Sequence, residues 1–175
     1  MPIPITKPYF SQDSRKKITE GINEILSSGK LMLGPYTEKF ETKFSDYTDT
    51  RAAISVNTCT TALQICLQYF DVTEREVLVP AGGFLTDATA VRWAGGEPVL
   101  VDINPKTLSF DLDDLKRKIT PKTKGLIWIH LTGIISYEYE EILALVRDRG
   151  LFIIEDAAHA HGATIDGKQA GSIGD

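Results

Sequence analysis

The feature that most constrains the fold of this chain is a regular alternation that begins near residue 51. Short, β-branched apolar runs, AAISV (52–56), EVLVP (76–80), EPVLVDI (97–103), KGLIWIH (124–130) and LFIIED (151–156), are separated by helical patterns at 60–70, 84–95, 111–119 and 138–150. Strands that are apolar throughout must be covered on both faces, and helices between successive strands supply that cover. The expected fold is therefore α/β, a mainly parallel sheet with helices on both faces. In such sheets ligands collect at the carboxyl ends of the strands.

Upstream of the alternation the pattern is purely helical. Residues 12–28 (QDSRKKITEGINEILSS) place Ile18, Ile22, Ile25 and Leu26 at helical spacing, with Asp13 or Ser14 as candidate caps. A glycine-bearing turn, GKLMLGPY, leads into TEKFETKFSDY, where Phe40, Phe44 and Tyr47 share one helical face. Residues 1–50 thus read as an N-terminal helical arm and 51–175 as the sheet domain, with no internal repeat.

Bulk properties exclude several classes. The formal net charge is −5, acids and bases are interspersed, and the longest basic cluster is RKK at 15–17, which is not the footprint of a nucleic-acid binder. No apolar run approaches the roughly 20 residues that span a bilayer, and MPIPITKPYF has neither a basic nor an apolar leader region. Cys59 and Cys66 sit seven residues apart in a helical pattern, so their Cα atoms are expected roughly 10 Å apart, too far for a disulfide. A reduced, cytoplasmic protein is the expectation.

Three strand ends carry chemistry. After AAISV comes NTCTTAL, where Thr58, Thr60 and Thr61 open a helix; unpaired N–H groups and hydroxyls there suit a phosphate, and equally suit simple N-capping. After EVLVP comes AGGF, where Phe84 can lie over a flat ligand or belong to the core. After LFII come Glu155 and Asp156, carboxylates that must be paired or hydrogen-bonded at the end of a buried strand. An Asp in that place can keep a proton on a pyridine nitrogen, or can cap the following AAHAHGA segment.

In chain order these elements supply a phosphate cradle, a stacking aromatic and a pyridinium acid. Here the chain resembles the sugar aminotransferases of the DegT/DnrJ/StrS type, within the aspartate-aminotransferase fold. The resemblance runs through GPYTEKFE, SVNTCTTALQICL, VPAGGFLTDATAVRWAGGEPVLVDI, DLDDLKRKITPKTKGLIWIHLTG and IIEDAAHAHGATIDGKQAGSIGD, in the family's order. It implies pyridoxal 5'-phosphate as cofactor, bound at its phosphate by Thr60, Thr61 and the Cys59 backbone. It further implies that Phe84 stacks on the ring, Asp156 pairs with the ring nitrogen and His159 lies near the ring hydroxyl, where the family more often has glutamine. Cys59, AGGF and IISYEYEEI depart from the usual pattern.

The resemblance also implies the reaction, transfer of an amino group from glutamate or glutamine to a keto-sugar nucleotide or keto-cyclitol. The family's Schiff-base lysine and small C-terminal domain would follow GSIGD, so the chain is expected to be an N-terminal part that is inactive alone. Lys168 lies in the family's non-catalytic GK turn. Other readings are the cofactor-binding subunit of a split enzyme and, where the lysine position is histidine, a sugar dehydratase. An incomplete sheet and the family's habit both point to a homodimer or to pairing with a complementary chain.

Overall fold

The computed structural model describes residues 7–175; the first six residues of the expected arm lie outside the described residues. Helix α1 (Gln12–Ser28) and helix α2 (Pro35–Thr48) lie in the segment expected to be an arm. The cap of α1 is neither Asp13 nor Ser14 but Ser11, whose side chain accepts the Ser14 N–H at 3.0 Å. In a run of polar residues several positions can cap, and the first one able to reach an orphan N–H takes the role. Tyr36, at the start of α2, crosses Gly21 of α1 and donates its hydroxyl to Glu24 at 2.6 Å. The stripe Ile18, Ile22 and Leu26 remains exposed.

Helix α3 (Cys59–Tyr69), strand β1 (Glu76–Pro80), helix α4 (Leu85–Trp93) and strand β2 (Glu97–Val101) follow. A short antiparallel pair, β3 (Ile103–Asn104) and β4 (Ser109–Phe110), leads to helix α5 (Leu112–Lys118) and strand β5 (Thr123–Ile129). After a 3₁₀ turn at Leu131–Gly133 come helix α6 (Tyr139–Arg147), strand β6 (Phe152–Asp156) and a small hairpin of β7 (Thr164–Ile165) and β8 (Lys168–Gln169). The main sheet has the order β2-β1-β5-β6, and every pairing in it is parallel. This is the doubly covered α/β arrangement expected from the alternation.

Each strand alternates sides, so two separate cores form on the two faces. Val77, Val79, Ile127, Ile129, Phe152 and Ile154 pack against α3 and α4. Leu78, Leu126, Trp128 and Ile153 pack against α5 and α6. The Trp128 indole N–H is satisfied by the Ser109 hydroxyl at 2.9 Å, which explains how an indole is fully buried. Cys59 and Cys66 are both free thiols.

Two expected strands differ. The run 52–56 is not a strand: the Ser55 N–H and hydroxyl both donate to Glu41 Oε1, at 2.7 and 2.8 Å, and Ile54 is 84% exposed. An apolar β-branched run becomes a strand only beside a partner, and the acceptor that the Ser55 N–H meets here is a side chain of α2. An open cleft of about 590 Å³ separates the run from the residues after β6. The run 97–103 is interrupted because the Asp102 N–H donates to the buried Asp114 carboxylate at 2.7 Å rather than to a strand.

Leu126 lies at the centre of the α5/α6-side core with no exposed surface. Leu126→Ala is expected to lower the unfolding free energy by about 2–5 kcal/mol in urea denaturation. A loss below about 1 kcal/mol would contradict the packing described.

Candidate functional site

The carboxyl ends of β1, β5 and β6 converge on one cavity of about 230 Å³. It is lined by Cys59 and Thr60 from the start of α3, Gly83 and Phe84 from the β1–α4 turn, Thr86 from the first turn of α4, Ile129 and Leu131 around the end of β5, and Asp156, Ala158 and His159 around the end of β6. Complete small-molecule pockets span roughly 300–1,000 Å³, so this cavity has the size of part of a site.

Five of the six residues expected from sequence meet here: Cys59, Thr60, Phe84, Asp156 and His159. Thr58 caps α3, its hydroxyl oxygen accepting the Thr61 N–H at 3.1 Å, and the Thr58 and Thr61 hydroxyls are 3.0 Å apart. Thr61 is thereby occupied at both polar groups and does not line the cavity. The N–H groups of Cys59 and Thr60, the first two of the helix, have no intrahelical acceptor and stand at its positive end.

Gly82 and Gly83 do allow a close approach, but to the protein itself. A Cβ on Gly82 would meet Ile103 Cδ1 at 2.6 Å, and one on Gly83 would collide with Ile129 Cδ1. This tight turn delivers Phe84 as the N-cap of α4 with the residue 68% exposed, so a core role is excluded.

The two acids of β6 part company. Asp156 belongs to the α3/α4 side; its Oδ1 accepts the Ala158 N–H at 2.9 Å and lies 3.5 Å from the Cys59 thiol. Burial, then the Asp156 charge, pushes that thiol up to about 12, so Cys59 stays a neutral donor. Glu155 points to the opposite side, where His130 Nε2–H donates to its Oε2 at 2.7 Å and the Gly171 N–H at 2.8 Å. Its Oε1 accepts the Ile173 and Gly174 N–H groups at 2.5 and 2.6 Å.

Burial, the largest single influence on Glu155, opposes its ionisation. The hydrogen bonds from His130 and the three backbone amides together outweigh it and hold the carboxyl below its ordinary value. Glu155 therefore ties the 171–174 segment and β5 to β6. Sequence reasoning placed both acids at the strand end without separating their roles.

A third buried acid was missed altogether. Asp87, in the first turn of α4, has no exposed surface; its Oδ2 accepts the Phe84 N–H at 3.1 Å, and its Oδ1 has no partner among the described residues. Burial, then hydrogen bonding to Asp156 and the Asp156 charge, pushes its carboxyl up to about 7. An Asp three residues into a helix reads as a helix-capping acid, which gives no sign in the sequence of how deeply it is buried. His161 stacks on Phe44 at 5.6 Å outside this cavity, and Lys168 Nζ lies 5.1 Å from the Tyr139 ring centroid, on the α6 side of the sheet.

A parallel sheet with a cavity at its carboxyl ends, walled by a helix N-terminus, an exposed aromatic and a buried acid, defines a ligand-binding α/β protein. Residues 12–175 match the DegT/DnrJ/EryC1/StrS aminotransferase family, and the chain belongs to that family. It is 33% identical over 174 residues to a GDP-perosamine synthase of Escherichia coli O157:H7, covering 99% of this chain and 47% of that one. It is 35% identical over 162 residues to a dTDP-3-amino-3,6-dideoxy-alpha-D-galactopyranose transaminase of Aneurinibacillus thermoaerophilus, covering 92% of this chain and 44% of that one. Among solved structures, the PLP-form of a putative sugar aminotransferase from Streptococcus pneumoniae superposes with a TM-score of 0.90 at 32% identity, covering 99% of this chain and 47% of that one. The chain spans less than half the length of these relatives.

The Glu155 network makes a specific demand on stability. Glu155→Ala is expected to lower stability by about 3–5 kcal/mol at pH 7, because His130 and three amides lose their acceptor. A lowered folded-state value means that the stabilisation is present above the ordinary 4.5 and is lost as pH falls through the folded value. The gap between wild type and Glu155→Ala in chemical denaturation should therefore shrink below pH 4.5; a gap that widens there would contradict the assignment.

Proposed function

We propose that these residues hold the non-covalent contacts of pyridoxal 5'-phosphate in an aminotransferase that moves an amino group from glutamate or glutamine to a keto-sugar nucleotide or a related keto-cyclitol. The observation that carries the reading is the single cavity that gathers Cys59, Thr60, Phe84, Asp156 and His159. The names of the relatives above support the sugar-nucleotide class and the aminotransferase chemistry.

The residues fit the cofactor by their chemistry. The free N–H groups of Cys59 and Thr60, with the Thr60 hydroxyl, suit its phosphate. The exposed Phe84 ring suits the face of a flat heterocycle. Asp156, buried and anchored by the Ala158 N–H, suits a protonated ring nitrogen, and His159 a ring hydroxyl. Thr61 acts through Thr58, fixing the helix start that presents those amides. When bound, pyridoxal phosphate supplies an electron sink for charge developing at the substrate carbon, and Asp156 sustains it by retaining the ring proton.

No lysine lines the cavity among the described residues, and Lys168 lies on the other side of the sheet. In this reading the reactive amine comes from outside these 175 residues, so the chain alone binds the cofactor without turning over. We take 1–50 as an arm and 51–175 as the cofactor-binding part. No helix among the described residues is long and apolar enough to cross a membrane, in keeping with a cytoplasmic enzyme. The uncovered stripe Ile18, Ile22 and Leu26 favours a homodimer or a complementary chain.

Titration with pyridoxal phosphate, followed by cofactor absorbance, tests the reading. Phe84→Ala is expected to weaken binding by about 0.5–1.5 kcal/mol, and Thr60→Ala by about 1.4 kcal/mol, a tenfold change. Unchanged affinity in both variants, or a borohydride-stable cofactor adduct on Lys168, would overturn it.

A further inference from the structure

Cys59 departs from the usual family pattern, and only its backbone N–H has a task in the site described above. Its side chain reaches the other end of that site. Cys59 Sγ lies 3.5 Å from Asp156 Oδ1, a contact between the first residue of α3 and the last residue of β6 that bridges 97 positions of sequence. The Ala158 N–H meets the same oxygen at 2.9 Å. Both donors thus converge on Oδ1, and neither is paired with Oδ2.

The two donors also share a place. Cys59 and Ala158 line both the cavity of about 230 Å³ and the cleft of about 590 Å³ beside it, whereas Asp156 lines the cavity alone. They belong to the wall between the two spaces, so the oxygen they hold is turned to that wall and the other is left for the cavity.

The Ala158 N–H lies two residues beyond Asp156, so by itself it restrains the carboxylate only relative to its own loop. The thiol ties the carboxylate to a separate helix. An S–H is a weak donor, but a bond to an ionised acceptor is stronger than one between neutral groups. The thiol keeps its proton: burial, then the charge of Asp156 and its hydrogen bond, with smaller effects of Asp87 and Cys66, push it up to about 12.

We propose that the Cys59 side chain is a positioning residue of this site: its S–H donates to Asp156 Oδ1 and, with the Ala158 N–H, fixes the carboxylate so that Oδ2 is the oxygen presented to the cavity. One residue then spans the site, with its N–H at the helix end assigned to a phosphate and its thiol on the acid assigned to a ring nitrogen. A single side chain thereby sets the separation of those two contacts. The consequence for the ring nitrogen rests on the cofactor reading above; the hydrogen bond itself does not. Substitution by any residue but proline keeps the Cys59 N–H, so variants isolate the thiol.

The direct experiment is infrared spectroscopy of the S–H stretching band, which lies clear of other protein absorptions, on the cofactor-free chain. The sequence has two cysteines, so in a Cys66→Ala background the band belongs to Cys59. It is expected at the lowered frequency of a hydrogen-bonded thiol, and is expected to rise when Asp156→Asn replaces the charged acceptor with a neutral one. A band at the frequency of a free thiol, or one unmoved by Asp156→Asn, overturns the proposal. If the Cys66→Ala chain does not fold, the difference between wild type and Cys59→Ala yields the same band. Pyridoxal phosphate affinity gives the second readout: Cys59→Ala is expected to bind about fivefold more weakly than wild type, and Cys59→Ser, which keeps a donor, within about twofold. Equal affinity in all three, or an equal loss in both variants, overturns the positioning role. A band that moves as expected in a chain that binds no pyridoxal phosphate upholds the hydrogen bond and removes the cofactor reading instead.

Discussion

Consecutive residues of a β-strand point to opposite faces of its sheet, and the last two residues of β6 are both acids. Phe152 and Ile154 commit one face of β6 to the α3/α4 core, which sends Asp156 to the same side; Ile153 packs with α6, which sends Glu155 to the other. The apolar alternation two residues earlier thus decides which carboxylate meets the cavity and which binds the chain that follows. A slip of one residue in the β5–β6 register, where Ile129 pairs with Asp156, would exchange the two roles.

Burying three carboxyl groups around one strand end is expensive unless each is answered. Glu155 is answered by His130 and three backbone amides, Asp156 by an amide and a thiol, and Asp87 by one amide. The amides serving Glu155 come from the 171–174 segment, so the same bonds that keep that acid charged also fold the segment back against β6. Stability and site geometry are coupled here through hydrogen-bond donors rather than through ion pairs with Lys or Arg.

Much of this was legible in the sequence. The apolar runs at 76–80, 97–103, 124–130 and 151–156 and the helical periods between them contain the four strands of the parallel sheet, because strands covered by helices on both faces leave a strong mark. The cavity residues were legible because loops at strand carboxyl ends carry ligand chemistry in this architecture. The run 52–56 misled because β-branched composition reports what a residue suits, and a strand also needs a neighbour to pair with. Asp87 and the two-sided use of Glu155 and Asp156 were hidden for a different reason: Asp87 looks like an ordinary first-turn acid, and the partners of Glu155 come from distant parts of the chain. Ser11 displaced Asp13 and Ser14 as a cap by a local competition that sequence pattern leaves open.

The division of labour at the end of β6 is the central claim, and a paired measurement on Glu155→Gln and Asp156→Asn tests it most directly: thermal unfolding without ligand, and pyridoxal phosphate affinity below the unfolding transition. The account predicts that Glu155→Gln loses most of the stability and keeps near wild-type affinity, while Asp156→Asn unfolds closer to wild type and binds the cofactor at least tenfold more weakly, a difference of about 1.4 kcal/mol. Two variants that lose stability and affinity in parallel, or in the reverse pattern, would contradict it.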